Sequence, residues 1–116
     1  MQSQTVEPDK IKALFPESVG QGKPLIVNFY SKFCLSCQQL KPKLDEIASE
    51  NPEITFLRLD VQKPTEQEIA IANAFEVITV PYIVFISGNG EIKKIVRENV
   101  EKSELESTVR ELTTVK

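Results

Sequence analysis

The chain is 116 residues long and 41% hydrophobic, enough apolar material for one ordinary domain core without disulfide staples. Its formal charge of −3 blends 14 basic with 17 acidic residues and contains no basic run, which argues against nucleic acid as a partner. With two cysteines and no histidine, it cannot build a Cys/His zinc site, a Ser-His-Asp triad, a Cys-His pair or a secreted disulfide framework.

No apolar run approaches the roughly 20 residues needed to cross a bilayer. Residues 1–10 are polar and lack the apolar segment of a signal peptide. The expectation is a cytoplasmic protein that does not enter a membrane, unless the chain is a domain excised from a longer, targeted one.

Pro8, followed by Ile11, Leu14 and Phe15, reads as a short amphipathic helix with proline in its first turn. Ser18 to Pro24, with Gly20 and Gly22, reads as a loop. Leu25 to Tyr30 is a nearly unbroken apolar run of strand formers, the pattern of a strand covered on both faces. A helix follows, starting near Cys34 and ending before the breaker Asn51-Pro52, with Leu40, Leu44 and Ile47 at helical spacing and Pro42 inside it. Ile54 to Asp60 reads as a second strand. Strand, helix and strand over this length make a βαβ unit with parallel strands.

Thr65 and Glu68 form a capping box that opens a helix running to about Phe75. Tyr82 to Ser87 and Glu91 to Val96 are strand-like and meet through Gly88-Asn89-Gly90, a hairpin signal. Ser103 and Glu106 suggest another capping box, and Leu105, Val109 and Leu112 give the last helix its inner stripe. The fold class is α/β, one central sheet with helices packed on it.

Cys34-Leu35-Ser36-Cys37 carries the chemistry. Cysteines three apart on a helix project to one side, about 5–6 Å from each other, so a disulfide can close or open with little backbone movement. Cys34 stands where a strand hands over to a helix. There, unpaired N–H groups and the positive end of the helix dipole favour thiolate, the attacking species. Cys34 is therefore read as the nucleophile and Cys37, one turn deeper, as the resolving thiol. A zinc or iron–sulfur site would need about four ligands, which this chain does not supply, so no metal is expected. Two buried, inert cysteines at a chance spacing are the plain alternative.

The chain resembles thioredoxin along nearly its whole length. The matching residues are Leu25-Ile26-Val27-Asn28-Phe29-Tyr30, Phe33-Cys34-Leu35-Ser36-Cys37, Pro42, Leu44 to Ala48, Val80-Pro81-Tyr82 and Asn89-Gly90. The resemblance implies a single thioredoxin-like domain over residues 1–116, a central mixed β-sheet flanked by helices on both faces. It implies a cis Pro81 facing the cysteine pair. It also implies a substrate groove formed by Phe33, Leu35, Ser36, Val80 and Pro81, where Val80 offers backbone hydrogen bonds to an extended peptide. Its redox group would be the Cys34–Cys37 disulfide, with no other cofactor. Its partners would be disulfide-containing proteins and a thioredoxin reductase or equivalent electron donor, and it would act as a monomer.

Several positions depart from the family pattern. Leu35 and Ser36 stand in place of the common Gly-Pro pair, which tunes redox poise, and Phe33 replaces the usual tryptophan. Asn28 replaces a buried aspartate behind the resolving cysteine, and an asparagine cannot act as a base at neutral pH. Arg58 aligns with a basic residue often found near that aspartate, and reads as a solvated strand residue opposite Asn28. Asn28 and Arg58 are thus expected to modulate the site. The segment between Asp60 and Pro81 is longer than usual, read as an extended Thr65–Phe75 helix. Protein-disulfide reduction is the leading function. A thioredoxin-like oxidant or isomerase, and a non-catalytic peptide-binding module, remain as alternatives.

Overall fold

β1 (Leu25–Tyr30) is the spine of the sheet, and Leu25 to Phe29 are all buried, as an apolar run covered on both faces requires. The computed structural model describes residues 7–113. The first six residues, part of the polar stretch searched for a signal peptide, and the last three lie outside it. β2 (Thr55–Asp60) runs parallel to β1 on one side and β3 (Tyr82–Ile86) antiparallel on the other. β4 (Ile92–Val96) pairs antiparallel with β3, giving the order β2-β1-β3-β4. The sheet is mixed, as expected.

Alternation along β1 and β3 sorts the core into two layers. Leu25, Val27 and Phe29, with Tyr82, Val84 and Ile86, pack against Ile11 of α1 (Pro8–Leu14) and Ile71 of α3 (Glu66–Ala74). Ile26, Ile83 and Phe85 face Leu40, Leu44 and Ile47 of α2 (Leu35–Glu50) and Leu105, Val109 and Leu112 of α4 (Lys102–Thr113). On the first face Phe29 meets Phe75 and Tyr82 edge-on, with ring centroids 6.2 and 6.0 Å apart, and Phe15 stacks on Phe75 at 6.3 Å. The Tyr82 hydroxyl donates to the Phe75 carbonyl at 3.2 Å, so the ring is buried with its polar end satisfied.

Local chemistry sets the boundaries. α2 runs on through Pro42 and stops where the Asn51 side chain donates to the Ile47 carbonyl at 2.9 Å, one residue before Pro52. The N–H of Ile54 turns back to the Asn51 carbonyl at 3.0 Å, which delays β2 to Thr55. Both bonds of the α3 capping box form: Glu68 N–H to Thr65 Oγ1 at 3.1 Å and Thr65 N–H to Glu68 Oε1 at 2.9 Å. In the hairpin, Gly90 has φ +92°, and a side chain there would also press on Pro8.

Two local readings need correction. The stretch Ser18 to Pro24 is not loop throughout: Val19–Gln21 forms a 3₁₀ turn, because Val19 is drawn into the core. Ser103 is not the cap of α4, since Lys102 is already helical and the Glu101 carbonyl accepts the N–H of Leu105 at 3.3 Å. The Lys102 ammonium contacts Glu46 and Glu50 of α2 at 2.8 and 3.4 Å, tertiary partners that a local pattern does not reveal. Among the described residues no helix is long and apolar enough to cross a membrane.

Candidate active site

The sheet brings two loops to one edge. The antiparallel register pairs Phe29 with Tyr82, so the chain leaving β1 toward Cys34 and the chain entering β3 through Pro81 lie at the same end of adjacent strands. The Val80–Pro81 peptide is cis and Pro81 is buried.

The turn into α2 is tied down by Ser31. Its carbonyl accepts the N–H of Cys34 at 3.1 Å, its hydroxyl oxygen accepts the N–H of Phe33 at 3.1 Å, and the hydroxyl donates to Gln62 at 2.9 Å. Cys34 then caps the helix: its backbone is extended and its Sγ accepts the N–H of Cys37 at 3.1 Å. A sulfur here occupies the place that a Ser, Thr, Asp or Asn oxygen takes in most helices. Gln38 seals the outer side by donating to the Lys32 carbonyl at 2.6 Å.

The two thiols are unlike. Cys34 is partly exposed, whereas Cys37 is only 9% exposed, and both are free. Burial pushes the Cys37 thiol up to about 11, helped by its hydrogen bond to the Cys34 side chain and by that group's charge. Backbone groups of Ser31 and of Cys37 itself oppose this in part.

The side chains on either side of Cys34 are apolar, and the opening that reaches Cys37 has a basic rim. Phe33 and Leu35 are 77% and 66% exposed, and Ile78, two residues before Val80, is 89% exposed. Ser36 and Val80 are half-buried. A groove of about 330 Å³ runs between α3 and the loop before Pro81, lined by Phe29, Val61, Ile69, Val77, Ile78 and Val80 among others. On the α2 and β2 side, a second opening of about 320 Å³ reaches Cys37, which lines it together with Tyr30, Ser31, Lys32, Gln38, Lys41 and Arg58.

Asn28 is buried and stands opposite Arg58 in the parallel register. Arg58 is exposed, as the sequence suggested, but it is not merely solvated: its guanidinium lies 4.4 Å from the centre of the Tyr30 ring. Sequence reasoning missed Tyr30, Gln38 and Lys41 around Cys37, and Ile78 beside the Pro81 loop. The apolar Ile78 within the polar-flanked segment before Val80 was the available signal for the last of these.

The thioredoxin family model matches residues 7–111, which span both loops and all four strands. The chain belongs to the thioredoxin family. It is 33% identical to Thioredoxin H7 of Arabidopsis thaliana over 85 residues, covering 73% of this chain and 63% of that one, so it spans less than two thirds of that relative's length. It is 30% identical to a thioredoxin of Mycolicibacterium smegmatis over 79 residues, 67% of this chain and 69% of the relative. Among solved structures, Fasciola hepatica thioredoxin superimposes with a TM-score of 0.70 at 25% identity, covering 90% of this chain and 93% of that one. Within the thioredoxin fold, the Cys34 turn and the Pro81 loop stand at the one sheet edge described above.

Proposed function

We propose that this thioredoxin-family chain is a thiol–disulfide oxidoreductase that reduces protein disulfides through Cys34 and Cys37. The observation that carries the reading is the inequality of the two thiols. A partly exposed sulfur that accepts a backbone N–H is suited to attack, and a buried neighbour that holds its proton is suited to wait.

Cys34 Sγ, as thiolate, attacks one sulfur of a substrate disulfide, and the other sulfur leaves with the electron pair. Cys37, once deprotonated, attacks Cys34 Sγ, forms the Cys34–Cys37 disulfide and releases the second substrate thiolate. Two electrons pass from the dithiol to the substrate, and no cofactor beyond the cysteine pair is needed. Phe33, Leu35, Ser36, Val80 and Pro81 form the docking rim, with an extended substrate segment bonded to the backbone at Val80. The oxidised pair is recharged by a thioredoxin reductase or an equivalent dithiol donor. The chain works as a monomer, in a reducing compartment such as the cytoplasm.

The test is reduction of a disulfide-bonded model protein by the dithiol form. Activity lost in Cys34→Ser, with a trapped mixed disulfide in Cys37→Ser, supports the reading. Peptide binding without any turnover overturns it in favour of a non-catalytic module. The redox equilibrium with glutathione then fixes direction: a couple more oxidising than glutathione replaces the reductase with an oxidant or isomerase, the alternative opened by Leu35 and Ser36.

A further inference from the structure

The resolving step needs a proton acceptor, and among the described residues none that lines the opening to Cys37 is a carboxylate. On β1 the α2-facing side carries Asn28, which is neutral, and then Tyr30, which lines the opening. From α2 come Gln38 and Lys41, from its N-cap comes Cys34, bonded to the Cys37 N–H, and from β2 comes Arg58. Lys32 completes the rim from the turn. None of the residues that line the opening to Cys37 is a carboxylate, and the chain has no histidine. Asp60 at the end of β2 lines the other groove and accepts the N–H of Gln62 at 2.9 Å, while Asp45 is held by Lys41 at 2.7 Å.

The geometry points to an external base: the opening between α2 and β2 admits a small oxyanion of the hydrogen-phosphate class, which takes the proton of Cys37 during resolution, steered there by Lys32 and Arg58, while Lys41 is paired with Asp45. The inference deepens the oxidoreductase reading and rests on it. The opening is large enough for such an ion, about 320 Å³, and its three charged lining groups are all cationic. Arg58 is held at the rim by the Tyr30 ring rather than by a carboxylate, so its charge remains available to an incoming anion. Burial, the largest cause that keeps Cys37 protonated, persists once Cys34 is tied up in a mixed disulfide, so the need for a base persists too.

The step balances. Cys37 Sγ–H gives its proton to hydrogen phosphate, which becomes dihydrogen phosphate. The electron pair left on Cys37 Sγ forms the bond to Cys34 Sγ. The bond from Cys34 to the substrate sulfur breaks, and that sulfur departs as thiolate. A base whose conjugate acid titrates near neutral pH is the best match for such a transfer.

The experiment follows two successive releases of a chromogenic thiol when the reduced protein meets an excess of a symmetrical aromatic disulfide. The first release reports attack by Cys34 and the second reports resolution by Cys37. At fixed neutral pH and ionic strength, the second rate is expected to rise several-fold with phosphate and also to rise with imidazole, while the first stays flat. The Arg58→Gln and Lys32→Gln double variant should lower the phosphate slope several-fold more than the imidazole slope, a distinction that a merely structural role would not produce. Asn28→Asp, which puts a carboxylate on the α2-facing side of β1, should flatten both slopes. A second release in the unaltered protein that is insensitive to both bases overturns the external base. Equal loss of both slopes in the double variant overturns the steering by cationic residues. A first release with no second one would instead remove the oxidoreductase reading itself.

Discussion

The backbone N–H of Cys37 points at Sγ of Cys34 across 3.1 Å, so the residue proposed as the resolving thiol also supports the sulfur proposed as the nucleophile. The same short stretch of helix that orders Cys34 as a cap carries Cys37 inward, where it is nearly closed off from solvent. One local structural event, a helix starting on a cysteine, thereby gives two identical side chains different chemistry.

A direct consequence concerns alkylation. Treatment of the reduced protein with a limiting amount of iodoacetamide at neutral pH should label Cys34 at least about tenfold faster than Cys37, because the thiolate is the reactive form and Cys37 both holds its proton and is the more buried of the two. Peptide mapping by mass spectrometry reads the ratio. Equal labelling of the two would contradict the asymmetry on which the functional reading rests.

The apolar rim offers a second test. Ile78 and Phe33 are almost fully exposed, so replacing them leaves no cavity behind. The Ile78→Ser and Phe33→Ser pair should raise KM several-fold for a protein disulfide while leaving reaction with a small aromatic disulfide unchanged, and thermal stability should shift by no more than about 0.5 kcal/mol. Equal loss on both substrates would mean that these side chains support the cysteines rather than the partner.

Much of this architecture is legible in local sequence. The apolar run at β1, the Thr65–Glu68 box and the glycine-centred hairpin each state their structure within a few residues, because the deciding contacts are themselves local. What escapes is what depends on register or on distant partners. Arg58 reaches the Tyr30 ring only because Asn28 lies opposite Arg58 in the parallel pair, which puts Tyr30 on the diagonal two residues along. Ser103 looks like a cap until the ion pairs from Lys102 to Glu46 and Glu50 are seen, and those cross from one helix to another. The Cys34–Cys37 pair was legible from its spacing together with its place where a strand hands over to a helix, whereas the basic opening beside it draws on β1, α2 and β2 together and could not be.

The capping box on α3 has measurable weight. The helix has nine residues, of which Ile71 alone is buried, so packing alone holds it weakly. Thr65→Ala removes the acceptor of the Glu68 N–H and should cost about 1 kcal/mol in denaturant unfolding. Thr65→Ser keeps the oxygen and should restore most of it. A loss in both variants alike would point to the threonine methyl instead of the cap.

Glu76 follows α3 with φ +56°, a left-handed conformation that costs a side-chain-bearing residue. The N–H groups of Glu76 and Val77 bond back to the carbonyls of Asn73 and Ala72 at 3.1 and 3.0 Å, so the conformation is fixed by the helix end rather than by the glutamate. Glu76→Gly should therefore stabilise the fold by roughly 0.5–1 kcal/mol, the relief of strain outweighing the greater freedom of glycine when unfolded. A destabilised variant would mean that the exposed carboxylate makes a contribution larger than that strain.

Stability against alkaline pH tests the environment of Cys37 without any substrate. The folded protein holds this proton up to about 11, against 9.0 for the unperturbed thiol, chiefly because burial opposes the charged form. Above pH 9 the unfolded chain releases the proton first, so the folded state then binds more protons than the unfolded one. By linkage, the stabilisation from the neutral buried thiol is complete below pH 9 and is lost as pH climbs through 11. Denaturant unfolding of the reduced protein should show this decline, and in Cys37→Ser, whose hydroxyl does not ionise in that window, the decline should be shallower by the share due to the thiol. Parallel pH profiles for the two proteins would show that the Cys37 sulfur ionises as readily in the fold as outside it, contrary to its position behind Cys34.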